Sequence, residues 1–123
     1  MSTEAPANAA VWFEIPVSDM DRAKAFYGAV LQTVLKEEND GPNPMAVFPV
    51  GGSGVAGHLY PGNPASSGTG NTIHLAAPEP LESAVERVRD NGGSVVTGII
   101  SIPAGRFAYC LDPDGNSFGL FGR

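Results

Sequence analysis

The feature that most constrains the fold is an internal repeat, in which a short apolar strand, an amphipathic helix and several glycine-punctuated strands occur twice. The first copy opens at residues 10–17 and the second at residues 71–77. Each opening segment alternates apolar residues with a minority polar face, and this period of two is typical of a strand with one buried side. Glu14 lies on the minority face of the first strand and His74 on that of the second. The repeat therefore predicts two half-domains, each built as β-α-β-β-β.

The helices carry the clearest periodicity in each half. In the first, Ser18 precedes an apolar stripe and is the predicted N-cap. The second is predicted over residues 79–90, and residues 91–93 (Asn-Gly-Gly) end it. An offset of 61 aligns Met20, Ala23 and Tyr27 of the first helix with Leu81, Ala84 and Val88 of the second. The apolar stripe of the first helix also includes Val30 and Leu31, and that of the second includes Val85.

The two halves are expected to form one domain. Residues 61–71 have the composition of a linker, but each half alone is too short to bury a stable core. With 123 residues, 42% of them hydrophobic, the whole chain can bury one. We therefore predict a flexible N-terminal tail at residues 1–9 and a single domain at residues 10–123, with modules at about 10–60 and 72–122.

Charge and cysteine content exclude several classes of function. The formal net charge is −6 and the basic residues are scattered, which argues against a nucleic-acid surface. No apolar run is long enough to cross a bilayer, and residues 1–10 lack the features of a signal peptide. Cys110 is the single cysteine, so no internal disulfide can form, and its apolar strand context predicts a buried, inert thiol. These observations predict a cytoplasmic protein with neither nucleic-acid nor membrane partners.

Three segments resemble the vicinal oxygen chelate superfamily, which includes glyoxalase I, bleomycin-resistance proteins, fosfomycin-resistance enzymes and extradiol dioxygenases. Residues 17–27 (Val-Ser-Asp-Met-Asp-Arg-Ala-Lys-Ala-Phe-Tyr) are similar to the family's first helix, and residues 81–93 to its second. Residues 112–116 (Asp-Pro-Asp-Gly-Asn) are similar to the hairpin before its last strand. The resemblance implies an α+β fold in which eight strands form an open, incomplete barrel around a cavity, and it implies a homodimer.

The resemblance also implies positions for metal ligands, on the first and last strands of each half. Carried over to this chain, the positions fall at Glu14 or Trp12, His58, His74 and Gly119. Trp12 stands where family members commonly have histidine, and Gly119 stands where the metal enzymes commonly have glutamate. One ligand is therefore absent and another is displaced or replaced.

The chemistry of the remaining residues leaves two hypotheses about metal binding. Glu14, His58 and His74 form a set that could hold one divalent iron, manganese, nickel or zinc ion, and Glu14 could act as a catalytic base. The two histidines could instead be hydrogen-bonding groups, with Glu14 lining a polar pocket or pairing with Arg106. Trp12 is either an aromatic wall of the cavity or a plug of the core.

We therefore predict a ligand pocket formed by Trp12, Glu14, His58 and His74, suited to a planar or cationic ligand. The first functional hypothesis is a glyoxalase/bleomycin-resistance-like protein that binds a small organic molecule in its barrel cavity and has a degenerate metal site. The alternative is a divalent-metal-dependent lyase, isomerase or dioxygenase acting on a vicinal-oxygen substrate. The sequence leaves open whether the protein is an enzyme. Residues 51–54 and 112–115 are predicted to be turns, rather than a phosphate loop and a calcium site.

Overall fold

The computed structural model describes residues 5–122, which form nine strands and two helices in two repeated halves. The first half contains β1 (Phe13–Val17), α1 (Met20–Leu31), β2 (Lys36–Glu38), β3 (Met45–Val47) and β4 (Gly57–Pro61). The second half contains β5 (Ile73–Ala76), α2 (Leu81–Asp90), β6 (Ser94–Val95), β7 (Ile100–Ile102), β8 (Gly105–Leu111) and β9 (Ser117–Gly122). The α+β fold and its repeat are confirmed. Neither helix in this part of the chain is long and apolar enough to span a membrane.

Each half forms its own sheet, and the two sheets do not close into a barrel. The first sheet has the order β1-β4-β3-β2, and the second has the order β5-β9-β8-β6 with β7 also paired to β8. The opening strand of each half pairs in parallel with the last strand of the same half. Strand β7 is additional to the four strands expected in each half, so the strands number nine rather than the eight that the resemblance implies.

The strand register places corresponding residues of the two halves at corresponding points. Glu14 on β1 lies opposite His58 on β4, and His74 on β5 lies opposite Gly119 on β9. Side chains of a strand alternate between its faces. Ile15 therefore enters the core while Glu14 faces away from it. The same alternation buries Leu75 and leaves His74 exposed.

Both helices pack on the same core, to which both sheets contribute. Helix α1 buries Ala23, Phe26, Tyr27 and Val30, and helix α2 buries Leu81, Ala84, Val85 and Val88. These residues form one apolar cluster with strand residues that include Val17, Leu59, Leu75 and Leu120. The helices also meet directly, since Arg87 Nε donates to the Val30 carbonyl at 3.1 Å.

Several predicted boundaries are wrong by a few residues. Asp19, not Ser18, caps α1, because its side chain accepts a hydrogen bond from the Arg22 backbone N–H at 3.0 Å. Helix α2 begins at Leu81 rather than at residue 79. In the predicted tail, residues 5–9 are exposed and form no helix or strand, and residues 1–4 lie outside the described part of the chain.

The halves are joined by a set of polar contacts that we call the seam, made by Asp112, Asp114 and Asn116 with the first half. The Asp112 side chain is buried and accepts a 2.7 Å hydrogen bond from the Tyr27 hydroxyl of α1. It also accepts bonds from the backbone N–H groups of Asp114 and Asn116, each at 2.9 Å. Burial and then the adjacent Asp112 raise the pKa of Tyr27, so its hydroxyl remains a neutral donor.

The rest of the seam contacts β1 and the start of α1. Asn116 Nδ2 donates to the Pro16 carbonyl at 2.8 Å, and Asp114 accepts a hydrogen bond from the Ser18 backbone N–H at 3.0 Å. Arg22 forms an ion pair with Asp114 at 2.8 Å. These contacts give both carboxylates of residues 112–115 hydrogen-bond partners, in agreement with the prediction of a turn rather than a calcium site. Because Ser18 is bonded to Asp114, its side chain does not cap the helix.

Candidate functional site

The solvent-facing side of β1 carries the predicted site residues of the first half. Trp12 immediately precedes the strand, and Glu14 is its second residue. His58 lies beside Glu14 on the paired strand β4 and is only 6% exposed. The parallel pairing of the first and last strands therefore brings residues far apart in sequence together on one face.

These three side chains form a row that we call the Trp12–His58–Glu14 row. The Trp12 indole N–H donates to His58 Nδ1 at 2.9 Å. On the other side of the ring, His58 Nε2 lies 3.2 Å from Glu14 Oε1. The Tyr60 ring packs edge-on against the imidazole, with ring centroids 6.1 Å apart. The row buries the imidazole and leaves the carboxylate facing solvent.

The row decides two alternatives that the sequence left open. Trp12 is 47% exposed and hydrogen-bonded, so it is not a plug of the core. The alternative in which Glu14 pairs with Arg106 is wrong, because Arg106 forms an ion pair with Glu82 of α2 at 2.7 Å and Glu14 lies beside His58. That ion pair lowers the pKa of Glu82 and raises that of Arg106. Glu14 has no lysine or arginine partner within residues 5–122.

A cavity of about 420 Å³ lies between the halves, and we call it the inter-half cleft. Strand β1 forms one wall, and the start of β5 with the turn before β9 forms the other. Its lining consists of Trp12, Phe13, Glu14, Ile15, Pro16, Ala65, Gly70, Asn71, Ile73, Gly115, Asn116 and Ser117. Of the described residues that line it, Glu14 alone is charged, so the cleft combines aromatic, apolar and neutral polar surface with a single negative charge.

A second cavity of about 400 Å³ lies on the other side of Glu14, and we call it the Glu14–His58 pocket. It is lined by Glu14, His58, Tyr60, Met45 and residues 41–43. Glu14 thus lines both cavities.

His74 occupies a different environment in the second half. Its ring lies over Gly119, where an added Cβ would overlap the imidazole. Three other rings surround it edge-on, those of Phe107, Tyr109 and Phe121, with centroids 5.3, 5.8 and 6.3 Å from that of His74. We call this group the His74 aromatic cluster. His74 lines neither of the two cavities.

The residues present do not fit a metal ion as they are arranged. In the region from residue 5 to residue 122, no three His, Cys, Asp or Glu side chains are grouped closely enough to hold one. The structure brings Glu14 and His58 together but not His74. A metal-binding imidazole must offer a lone pair, and a neutral ring has only one. At His58 that lone pair, on Nδ1, already accepts the Trp12 N–H.

Cys110 is buried on the core side of β8, as the sequence predicts. Burial raises the pKa of its thiol to about 11. Because the thiolate is the nucleophilic form, Cys110 is chemically inert near neutral pH. It therefore takes no part in the candidate site.

Sequence reasoning missed the contribution of the second half to the inter-half cleft. Asn71, Asn116 and Ser117 supply its polar wall. The signal for Asn116 was available, because it ends the Asp-Pro-Asp-Gly-Asn segment at residues 112–116. Its role follows only from the seam, which turns that segment towards β1.

Comparison with known proteins agrees with this architecture. The family model described as Glyoxalase/Bleomycin resistance protein/Dioxygenase superfamily matches residues 9–120. No curated protein matches the chain.

Solved structures with the same fold include a glyoxalase/bleomycin resistance protein from Albidiferax ferrireducens T118. The TM-score is 0.74 at 23% identity, and the match covers 94% of this chain and 99% of the other. A glyoxalase/bleomycin resistance protein from Streptomyces sp. CB03234 matches with a TM-score of 0.63 at 27% identity, over 90% and 97% of the two chains. Fosfomycin resistance protein FosX from Mesorhizobium loti matches with a TM-score of 0.66 at 17% identity, over 97% and 94%.

Proposed function

The chain belongs to the Glyoxalase/Bleomycin resistance protein/Dioxygenase superfamily, and we propose that it binds a small, planar, positively charged organic molecule in the inter-half cleft. One observation carries this proposal. The exposed residue Trp12 and the acidic residue Glu14 line the same cleft, and among residues 5–122 no other charged residue lines it.

The chemistry of the cleft favours a cation with an aromatic or other flat framework. An indole face attracts cations electrostatically, and its apolar surface stacks on planar rings. The Glu14 side chain is 64% exposed, so an incoming ligand can reach it. Because no lysine or arginine among residues 5–122 pairs with Glu14, the ligand does not have to break such an ion pair. A volume of about 420 Å³ lies in the range of small-molecule sites.

The alternative, a divalent-metal-dependent reaction on a vicinal-oxygen substrate, requires ligands that this arrangement does not bring together. His74 is outside both cavities and His58 has its lone pair occupied. Binding of a cation in the inter-half cleft requires neither His74 in the cavity nor a free lone pair on His58. We therefore expect treatment with a chelator to leave ligand affinity unchanged.

The proposal can be tested with the intrinsic fluorescence of the protein, because Trp12 is its only tryptophan. The probes are N-methylacridinium, a permanent planar cation, and acridine at a pH where it is neutral. The cation should quench Trp12 fluorescence at lower concentration than the neutral ring. In Glu14→Gln this preference should fall about tenfold, which corresponds to about 1.4 kcal/mol of binding energy.

Glu38→Gln is the matched control, since Glu38 lies in the same sheet but lines neither cavity. It should leave the preference for the cation intact. Equal affinity for the two probes in the wild-type protein, or equal losses in both variants, would refute the proposal. Loss of binding after chelation would instead support the metal-dependent alternative.

A further inference from the structure

We propose that Trp12 is a positioning residue that holds His58 as the Nε2–H tautomer and thereby presents one Glu14 oxygen to an N–H-bearing cation. The ligand part of this inference rests on the proposed function. The tautomer part does not, because it follows from contacts within the chain alone.

The tautomer follows from the donor chemistry of the indole. A tryptophan Nε1–H can only donate, so the His58 nitrogen that faces it must accept. The contact is made at Nδ1, with a 2.9 Å separation. A neutral imidazole carries one proton, and that proton must then be on Nε2. Because His58 is buried, water cannot readily replace the indole as the partner of Nδ1.

The tautomer has a consequence for Glu14. The protonated Nε2 of His58 lies 3.2 Å from Glu14 Oε1, a contact close enough for electrostatic attraction but not a hydrogen bond. This attraction orients one carboxylate oxygen towards β4. No partner for the other oxygen, Oε2, is found within residues 5–122.

An oriented carboxylate with one open oxygen favours a particular class of cation. Charge-assisted N–H···O bonds are shorter and stronger than contacts with a cation that cannot donate. An aromatic amidinium or primary ammonium can donate such a bond to Oε2 while its ring stacks on Trp12. A quaternary ammonium of similar size can do only the stacking. The row therefore selects for a hydrogen-bond-donating cation, not only for positive charge.

Nuclear magnetic resonance on ¹⁵N-histidine-labelled protein tests the tautomer without any ligand. The chain has two histidines, so His74 is an internal control. In the wild-type protein and in Glu14→Ala, the long-range ¹H–¹⁵N pattern of His58 should show only the Nε2–H tautomer. In Trp12→Phe/Glu14→Ala the Nδ1–H tautomer should become populated, while His74 should not change.

Two results would overturn the positioning role of Trp12. The first is an Nδ1–H tautomer for His58 in the wild-type protein. The second is its appearance in Glu14→Ala alone, which would show that the carboxylate rather than the indole sets the tautomer. Trp12→Phe retains an aromatic wall, so a changed pattern in the double variant would report the lost N–H and not a lost ring.

Binding of benzamidinium and benzyltrimethylammonium tests the ligand class. The wild-type protein should prefer benzamidinium by about fivefold, an energy typical of one hydrogen bond. Trp12→Phe and Glu14→Ala should each remove most of this preference. If neither cation binds, the proposed function fails while the tautomer result stands. If both bind equally and the tautomer is as expected, only the selection for an N–H donor fails.

Discussion

The two halves of the molecule place a pair of residues at the same register position and use it in opposite ways. In the first half the pair is Glu14 and His58, and in the second it is His74 and Gly119. The first pair forms a polar row with a buried imidazole, and the second leaves an exposed imidazole lying on a glycine among aromatic rings. Strand register thus determines which residues meet, and the side chains around them determine whether a polar site results.

The two corresponding turns, residues 51–54 in the first half and 112–115 in the second, also differ in the contacts that they make. Each contains a backbone hydrogen bond from its fourth residue to the carbonyl of its first, from Gly54 N–H to Gly51 at 3.1 Å and from Gly115 N–H to Asp112 at 2.9 Å. Gly51 has no neighbour where a side chain would begin. Asp112, at the corresponding position, has a buried carboxylate that joins the halves. One turn only connects strands, and the other also fastens the seam.

The largest expected effect comes from giving the second turn the residue of the first. Asp112→Gly leaves the Tyr27 hydroxyl and several amide groups without their acceptor, and should lower the free energy of unfolding by about 3 to 5 kcal/mol. Urea denaturation followed by circular dichroism measures it. The reverse change, Gly51→Asp, should alter stability by no more than about 0.5 kcal/mol. Similar decreases in the free energy of unfolding for the two variants would contradict the assignment of a stabilising role to Asp112 that Gly51 lacks.

An intermediate effect is expected when each histidine is truncated. His58→Ala removes a buried ring that packs against Trp12 and Tyr60, and should cost about 2 kcal/mol. His74→Ala removes an exposed ring and should cost about 0.5 kcal/mol. Thermal and urea unfolding of both variants make the comparison. A larger decrease in the free energy of unfolding for His74→Ala would mean that the His74 aromatic cluster contributes more to stability than the Trp12–His58–Glu14 row.

The smallest difference between variants is expected at the glycine beneath His74. In Gly119→Ala the new methyl group must displace the imidazole, which is a solvent-exposed side chain and not backbone, so the cost should be about 1 kcal/mol. In His74→Ala/Gly119→Ala the second change should cost almost nothing, because the ring is gone. Additive losses in this double-mutant cycle would contradict the assignment of Gly119 as space for the His74 ring.

Much of the fold could be predicted because the repeat is local and periodic. Alternation in the opening strands and the helical stripes identified the main elements of both halves. Strand β7 was missed because three residues, Ile100–Ile102, are too few to distinguish a strand from a loop. The Ser18 cap was wrong because Ser18 is bonded to Asp114, a residue of the other half.

The site could be predicted only in part, because its assembly depends on contacts remote in sequence. The family resemblance implied positions for Glu14 and His58 on the first and last strands of one half, and these strands pair in parallel with the two residues opposite one another. The position of His74 relative to them depends on how the halves are arranged, which no local pattern encodes. The hydrogen bond between Trp12 and His58 depends on a side-chain orientation that the alternation of a strand does not specify.

The seam has a consequence for how the protein folds. Each sheet pairs strands of its own half, whereas seam contacts join residues 96 and 100 positions apart in the chain. Closing so long a loop is entropically unfavourable before the local structure exists. We therefore expect the two sheets and their common core to form first and the seam to close after the rate-limiting barrier. Asp112→Gly should then accelerate unfolding and leave the refolding rate almost unchanged in stopped-flow measurements. The seam would then set the lifetime of the native state through the unfolding rate and would have little influence on the folding rate.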